Sequence, residues 1–450
     1  MTELVVRNGT VVTPRSTFAA DVAIDGGRFV EIAAPGGLQR HDADEEYDAS
    51  GQYVLPGVID GHVHFREPGL EYKEDWSTGS RAAVMGGVTT VLEMPNTLPH
   101  TSTAERVAHK RSLAESKAYC DFGLFGLVAQ DNLEHIAPMA EAGVVGYKCF
   151  LGETTGNIPP PDDGVLLEAM RVVSSTGLRI GFHAENNAIM QHNIRQLKDA
   201  GRHDPLAHVD ARPVVAELEA IQRVALFSRI TAAPIHIFHL SSRQGLAMVD
   251  AWRQQGVDVT CETTPHYCFL TSEFMQTLGS LLRMNPPVRE PGHADALLRG
   301  LAEGRINAVA TDHSPHTLEE KLNDDIWQAT SGFAGVETSV RLFLTYAVNV
   351  GRMSLQDYVR VASEGPARTW GLYPRKGAVE VGSDADLTIV DLQRGGVIEA
   401  ARMHGKNNHN PYEGRRTTGE AVATVVRGQI VMRDGELVGE PRGRMVRRQS

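Results

Sequence analysis

The sequence predicts an α/β protein, a (β/α)8 barrel with a small β-sandwich domain formed by both termini. Three observations support this. Apolar runs rich in β-forming residues alternate with helix-like segments through the middle of the chain, short strands with tight turns fill both ends, and reactive side chains follow several of the apolar runs. Apolar strands that alternate with helices are typical of a parallel sheet covered on both faces.

The two ends carry hairpin signals. Asn8-Gly9 and Asp25-Gly26 interrupt alternating apolar residues near the start of the chain. Near its end, strands are predicted at 384–390 and 421–427 and a hairpin at 428–438. Neither end is long enough to form a stable domain by itself, so we expect 1–53 and 369–450 to pack together as the sandwich. Residues 443–450 are expected to form a frayed tail.

The middle of the chain, 54–368, is assigned to the barrel. Its predicted helices include 103–116, 166–174, 214–226 and 245–254. An open doubly wound sheet is the alternative, but the first strand is not followed by a GxGxxG motif. In a barrel the chemistry lies at the C-terminal ends of the strands. The eight predicted strands are 54–59, 88–94, 122–127, 144–150, 178–183, 234–240, 257–261 and 306–310.

Composition excludes several classes of protein. The chain has 44 Lys and Arg against 56 Asp and Glu, a formal net charge of −12, which argues against nucleic-acid binding. Its apolar runs are shorter than the roughly 18 residues that a membrane span needs. Four scattered cysteines do not form a disulfide framework. We therefore expect a reduced, cytoplasmic protein that binds neither nucleic acid nor membrane.

Reactive side chains lie at the ends of the first and fourth predicted strands. His62 and His64 are two residues apart, so on a strand they share a face. This pair alone is a weak indication of metal binding. Lys148 lies near the end of the fourth strand, inside the barrel, where burial would be costly unless the amine is paired or modified. It is either a surface lysine on a strand of different register, or a neutral amine that captures carbon dioxide and bridges two metals as a carbamate.

The fifth, sixth and eighth strands supply further candidates. His183 and His239 lie at strand ends, Asp312 follows strand eight, and His236 is expected to be a core residue or to support the ligands. Imidazole and carboxylate groups suit Zn²⁺ or a similar divalent ion. Two such ions and a shared water would produce hydroxide at neutral pH and polarise a carbonyl group.

At this point the residues match a family. The sequence resembles the cyclic amidohydrolases, and among these it is most similar to the dihydroorotases. The resemblance extends over nearly the whole chain and implies the same barrel and sandwich. The motifs that carry it are Asp60–Gly69, Glu93–Thr97, Gly146–Phe150 with Thr155-Gly156-Asn157, Met284–Arg289, Ala310–His316 with Glu319–Lys321, and Ser331–Thr338.

The resemblance implies a site with two divalent ions, for which we expect Zn²⁺. His62 and His64 would hold one ion, and His183 and His239 the other. Carboxylated Lys148 would bridge the two ions. Asp312 would ligate the first ion and act as the catalytic acid and base.

Substrate choice depends on other residues. Arg66 lies two residues beyond His64 and would share its face if the strand extends that far, where its guanidinium would offer a fork for a carboxylate. The resemblance implies that Arg66, Asn96 and His316 bind the carboxylate of dihydroorotate, and that Asn285 contacts the substrate. The alternatives are a salt bridge of Arg66 with Glu67 or Glu93, turn chemistry for Asn96 and a structural loop role for Asn285.

The predicted reaction is the reversible hydrolysis of L-dihydroorotate to N-carbamoyl-L-aspartate, a step of pyrimidine biosynthesis. At the position of Ser314, many dihydroorotases have alanine and allantoinases often have serine. An allantoinase or hydantoinase-like imidase is therefore the alternative. A non-catalytic scaffold subunit is a remote one. The expected partners are a small anionic cyclic amide, further copies of the chain in a homo-oligomer and a transcarbamoylase.

Overall fold

The computed structural model describes residues 2–38, 43–153, 156 and 158–448. Thr155 and Asn157 of the motif above lie outside the described residues. The strands within these ranges are β1 Thr2–Val12, β2 Thr17–Asp25, β3 Arg28–Ala33, β4 Ala43–Asp48, β5 Tyr53–Pro56, β6 Val58–Val63, β7 Val88–Glu93, β8 Asp121–Val128, β9 Gly146–Phe150, β10 Ile180–His183, β11 Ile235–Ile237, β12 Val259–Thr263, β13 Ala308–Val309, β14 Leu387–Val397, β15 Arg416–Val426, β16 Gln429–Arg433 and β17 Glu436–Leu437.

Strands β6 to β13 form a parallel sheet in chain order. Its edges approach closely, since the backbone N–H of His64, just after β6, donates to the carbonyl of His313, beyond β13, at 2.8 Å. The predicted (β/α)8 barrel is therefore confirmed. Its helices within the described residues are α1 Trp76–Met85, α2 Ala104–Glu115, α3 Ile136–Glu141, α4 Asp163–Thr176, α5 Asn187–Asp199, α6 Pro205–Ala211, α7 Val214–Thr231, α8 Arg243–Gln254, α9 Pro265–Phe269, α10 Met275–Leu278, α11 His293–Ala302, α12 Leu318–Lys321, α13 Ser339–Phe343, α14 Leu355–Val359 and α15 Gly365–Thr369.

Both ends of the chain contribute to one mainly antiparallel sheet. Strand β5 pairs with β14 and with β1, which joins the two ends, and the sheet buries an apolar core of its own. The first predicted barrel strand, 54–59, is divided, because Tyr53–Pro56 belongs to this sheet and the barrel begins at Val58. Gly57 separates the two strands. A Cβ there would lie 2.2 Å from Thr89 Oγ1, so only glycine allows the sheet and the barrel to approach this closely.

Two local predictions are wrong. Asn8-Gly9 forms a bulge inside β1 rather than a hairpin, because β1 continues along β2 with a register shift between Val6 and Gly9. The tail is not frayed through Arg448. Val446 is 1% exposed, and its N–H donates to the carbonyl of Phe122 at 2.7 Å. Apolar contacts of Val446 with residues inside the barrel hold this segment.

The barrel floor is aromatic. Phe125, Phe238 and Trp370 pack together with Val446 in one buried cluster, and the Phe238 and Trp370 rings stack at 5.7 Å. This layer closes the lower end of the barrel and supports the polar groups above it. Within the described part of the chain, every helix is too short or too polar to cross a lipid bilayer.

Candidate active site

The six predicted metal ligands line one pocket at the C-terminal ends of the strands. The first group is formed by His62, at the end of β6, by His64 just beyond it and by Asp312 after β13. The Nε2 atoms of His62 and His64 lie 3.3 Å and 3.1 Å from Asp312 Oδ1. Strands at the two edges of the barrel therefore bring together residues that are about 250 positions apart.

The tautomers of the first group fit a cation. The carboxylate of Glu262 accepts a hydrogen bond from His62 Nδ1 at 2.8 Å, and Asn96 Oδ1 accepts one from His64 Nδ1 at 2.7 Å. Each Nε2 therefore directs a lone pair at Asp312. Burial lowers the pKa of His64 to about 4 and that of His62 well below its ordinary value, so both rings are neutral. Lone pairs converging on a carboxylate oxygen repel one another unless a cation lies between them.

The second group consists of His183 and His239, and a carboxylate fixes the tautomer of His183 as Glu262 does for His62. His183 Nε2 donates to Glu185 at 2.8 Å, and Arg212 keeps that carboxylate ionised through its own hydrogen bonds. The Nδ1 lone pair of His183 then faces His239 Nε2 at 3.1 Å. His239 (φ 38°) and Asp312 (φ 51°) both adopt the left-handed conformation, which is rare for such residues and is typical of functional sites.

Lys148 lies between the two groups in a hydrophobic setting. Its Nζ is 3.8 Å from the centre of the Phe238 ring and 5.1 Å from that of Phe150. Burial lowers the pKa of Lys148 to about 7, although the charges of Asp312 and Glu262 oppose this shift. Of the two interpretations of the sequence, the position matches the buried amine. A neutral amine is the form that reacts with carbon dioxide.

Asn96 and Asn285 also line the pocket. Asn96 bonds to His64, as described above, and so helps to orient a predicted ligand. Asn285 Oδ1 accepts a hydrogen bond from Ser331 Oγ at 3.3 Å. In the described part of the chain, the pocket is also lined by Phe150, Ser314, Ser331 and Gly332.

Arg66 and His316 lie together behind this wall. The strand ends before Arg66, which has a φ of 66°, so the assumed extension of the strand is wrong. Arg66 is 1% exposed, and it donates to Ser314 Oγ at 2.7 Å and to the Pro315 carbonyl at 3.3 Å. His316 lies 3.2 Å from Arg66 Nη2 and 3.1 Å from Lys73 Nζ. Arg66 Nε and Nη2 are thus bonded to protein atoms behind the pocket wall.

Two buried carboxylates that hold the histidines were not predicted from the sequence. Glu262, on β12, bonds to His62 and to His236, and Glu185 bonds to His183. Both side chains are completely buried. The sequence does contain a signal for Glu262, because this residue directly follows the predicted strand 257–261. A charged residue at the end of a barrel strand is a candidate functional residue, as the histidines are.

Comparisons with known proteins agree with this barrel. The model of the amidohydrolase family matches residues 53–431. The chain belongs to the amidohydrolase family. It is 36% identical over 454 residues to an allantoinase of Deinococcus radiodurans, across 100% of this chain and 99% of the relative. It is 39% identical over 427 residues to a dihydroorotase of Methanothermobacter thermautotrophicus, across 95% and 94%.

A solved structure extends the comparison to the fold. The L-hydantoinase (dihydropyrimidinase) from Arthrobacter aurescens matches with a TM-score of 0.97 and 34% identity over 100% of both chains. Further bacterial allantoinases are 33–37% identical. The predicted enzyme class, an amidohydrolase, is confirmed. The comparisons do not distinguish dihydroorotases from the other members of the family, since allantoinases and a hydantoinase match over equal or greater lengths.

Proposed function

We propose that this amidohydrolase opens neutral cyclic ureides, the class of ring found in allantoin and hydantoin. The observation that carries the proposal is the placement of Arg66, whose guanidinium is bonded to Ser314 and Pro315 behind the pocket wall. Among the described residues, the side-chain polar groups that remain on the wall besides the candidate ligands are amides and hydroxyls, which suit the carbonyl and N–H groups of an uncharged ring. The names of most relatives support the same class.

The candidate ligands fit a pair of divalent ions, for which we propose Zn²⁺. His62, His64 and Asp312 would hold one ion, His183 and His239 the other, and carboxylated Lys148 would bridge them. Such ions lower the pKa of water and polarise a carbonyl group. Asp312 then takes the proton of the attacking water at a carboxylate oxygen and delivers it to the leaving ring nitrogen. Asn96, Asn285 and Ser314 orient the ring before attack.

Dihydroorotate, the substrate first predicted, is the second candidate. It is favoured by the closeness of Arg66 and His316, with 3.2 Å between Arg66 Nη2 and His316 Nε2, directly behind Ser314. A shift of the Ser314 side chain would expose a fork suited to a ring carboxylate. In that case the chain would convert L-dihydroorotate to N-carbamoyl-L-aspartate. The homo-oligomer and the transcarbamoylase partner remain predictions.

A panel of substrates tests the proposal. Purified enzyme with a measured metal content is assayed side by side on allantoin, hydantoin, dihydrouracil and L-dihydroorotate. We expect kcat/KM for at least one neutral ring to exceed that for dihydroorotate by tenfold or more. A higher value for dihydroorotate overturns the proposal in favour of the second candidate. In that case Arg66→Met should raise KM for dihydroorotate far more than it lowers the metal content.

A further inference from the structure

The hydroxyl of Ser314 stands between a buried cation and the pocket. Ser314 lines the pocket, and its Oγ accepts a hydrogen bond from Arg66 Nη2 at 2.7 Å. Arg66 is 1% exposed, and its Nε is bonded to the Pro315 carbonyl. A ligand in the pocket therefore meets a neutral hydroxyl, and the guanidinium charge lies one side chain further back.

The space around Ser314 is restricted. Its backbone N–H donates to the Phe333 carbonyl at 2.9 Å, and a Cβ added to Gly332 would lie 2.6 Å from Ser314 Cβ. A side chain larger than serine would have to displace the Gly332 segment. Alanine fits without rearrangement and removes only the hydroxyl, so the role of that oxygen can be tested in isolation.

We propose that Ser314 determines whether this site prefers a neutral or an anionic ring, by accepting a hydrogen bond that Arg66 Nη2 would otherwise offer toward the pocket. The inference rests on the proposed function and deepens it. With the hydroxyl present, Arg66 Nη2 already has an acceptor, so a carboxylate on the ring adds little binding free energy. Without the hydroxyl, the Arg66 Nη2 N–H that faces Ser314 loses its acceptor, although the contact with His316 at 3.2 Å remains, and this charged donor favours a ligand that carries an anion at that position.

Two substrates that differ only in a carboxylate provide the test. Dihydrouracil is the neutral ring, and L-dihydroorotate is the same ring with a carboxylate. We expect Ser314→Ala to raise the ratio of kcat/KM for dihydroorotate to that for dihydrouracil by about tenfold, the effect of one charge-assisted hydrogen bond. The double variant Ser314→Ala/Arg66→Met should return this ratio to within about twofold of that of Arg66→Met alone.

Ser331→Ala is the matched control, because it removes another pocket hydroxyl that bonds to Asn285 rather than to Arg66. Its ratio should stay close to that of the unmodified enzyme. Binding of uracil and orotate, measured by calorimetry, provides a readout that does not depend on turnover, and Ser314→Ala should tighten orotate relative to uracil.

The failures are distinguishable. An unchanged ratio in Ser314→Ala, or an equal gain in the double variant, overturns the role of Ser314 whatever the natural substrate is. A clear preference of the unmodified enzyme for dihydroorotate overturns the proposed function instead. A shift in Ser314→Ala would then still support the role of Ser314 in discriminating between the two rings.

Discussion

Glu262 and His62 form a completely buried pair, with 2.8 Å between the carboxylate oxygen Oε1 and the ring nitrogen Nδ1. The other carboxylate oxygen lies 3.3 Å from His236 Nε2. The pair fixes the tautomer of His62, so that its Nε2 faces Asp312. Carboxylates behind ligating histidines commonly strengthen metal binding by 10- to 100-fold.

Replacing Glu262 should therefore weaken metal binding. In Glu262→Gln only one oxygen remains, so the His62 and His236 bonds compete for a single acceptor. We expect metal affinity, measured by chelator competition, to fall by about 10- to 100-fold. Glu217→Gln is the control. Glu217 is also buried, but it accepts hydrogen bonds from Ser241 and Ser242, which do not line the pocket. An equal loss of metal in both variants would contradict a specific role for Glu262.

Asp312 should be essential for turnover rather than for folding. Asp312→Asn keeps an oxygen near His62 and His64 but cannot accept a proton at pH 7. Acid–base groups contribute about 10²- to 10⁴-fold to rate, so we expect a loss of this size in kcat on the best neutral ring. Metal content is measured on the same sample. Near-normal turnover by the variant would assign the proton transfer to another group.

Lys148 should carry a carbamate. Its amine contacts aromatic rings, whereas Lys110, which is equally buried, is paired with Glu93 at 3.2 Å. Enzyme produced with isotopically labelled bicarbonate should therefore show the label by NMR as a carbamate that Lys148→Met abolishes and Lys110→Met retains. Lys148→Met should also lose metal and activity. A labelled signal that persists in Lys148→Met would contradict the assignment.

The sequence supported prediction of the fold and of the ligand candidates because both depend on local patterns. Apolar runs located the barrel strands, and reactive residues at the ends of parallel strands meet at one face whatever the details of packing. The position of Arg66 was not predictable, because it depends on a left-handed residue beyond the strand end. The hydrogen bond to Ser314, from a segment about 250 residues away, likewise depends on tertiary structure. The substrate class depends on these long-range contacts.

Lys376 should stabilise the junction of barrel and terminal sheet. Its Nζ lies 2.6 Å from both Asp121 and Asp386, and all three side chains are buried. Removing one member of a buried charge network costs about 3–5 kcal/mol, so Lys376→Met should lower the free energy of unfolding by that amount in urea titrations. Arg28→Met is the control, since Arg28 is exposed and lies 4.0 Å from Asp384. It should cost less than about 1 kcal/mol.

The same network predicts a pH dependence. Burial opposes ionisation of Asp121, but the charges of Lys376 and Arg427 and the hydrogen bonds from Lys376 and from the Arg444 backbone together outweigh it and hold the pKa of Asp121 below its ordinary value. A lowered folded-state pKa gives stability that is present above the unfolded value of about 3.9 and is lost as the pH falls further. The deficit of Lys376→Met should therefore be complete at pH 7 and shrink as the pH falls below about 4. A deficit independent of pH would contradict this account.

Val446 should anchor the C-terminal segment to the barrel floor. It is 1% exposed and packs in the cluster of Phe125, Phe238 and Trp370, and Phe238 in turn lies under Lys148. Val446→Ala removes two buried methyl groups, which should cost about 2 kcal/mol in the free energy of unfolding. Arg447→Ala, at an exposed neighbour, should change stability by less than about 0.5 kcal/mol. If Val446→Ala were equally neutral, the segment would not be held by this contact, and the aromatic floor would have to support Lys148 without it.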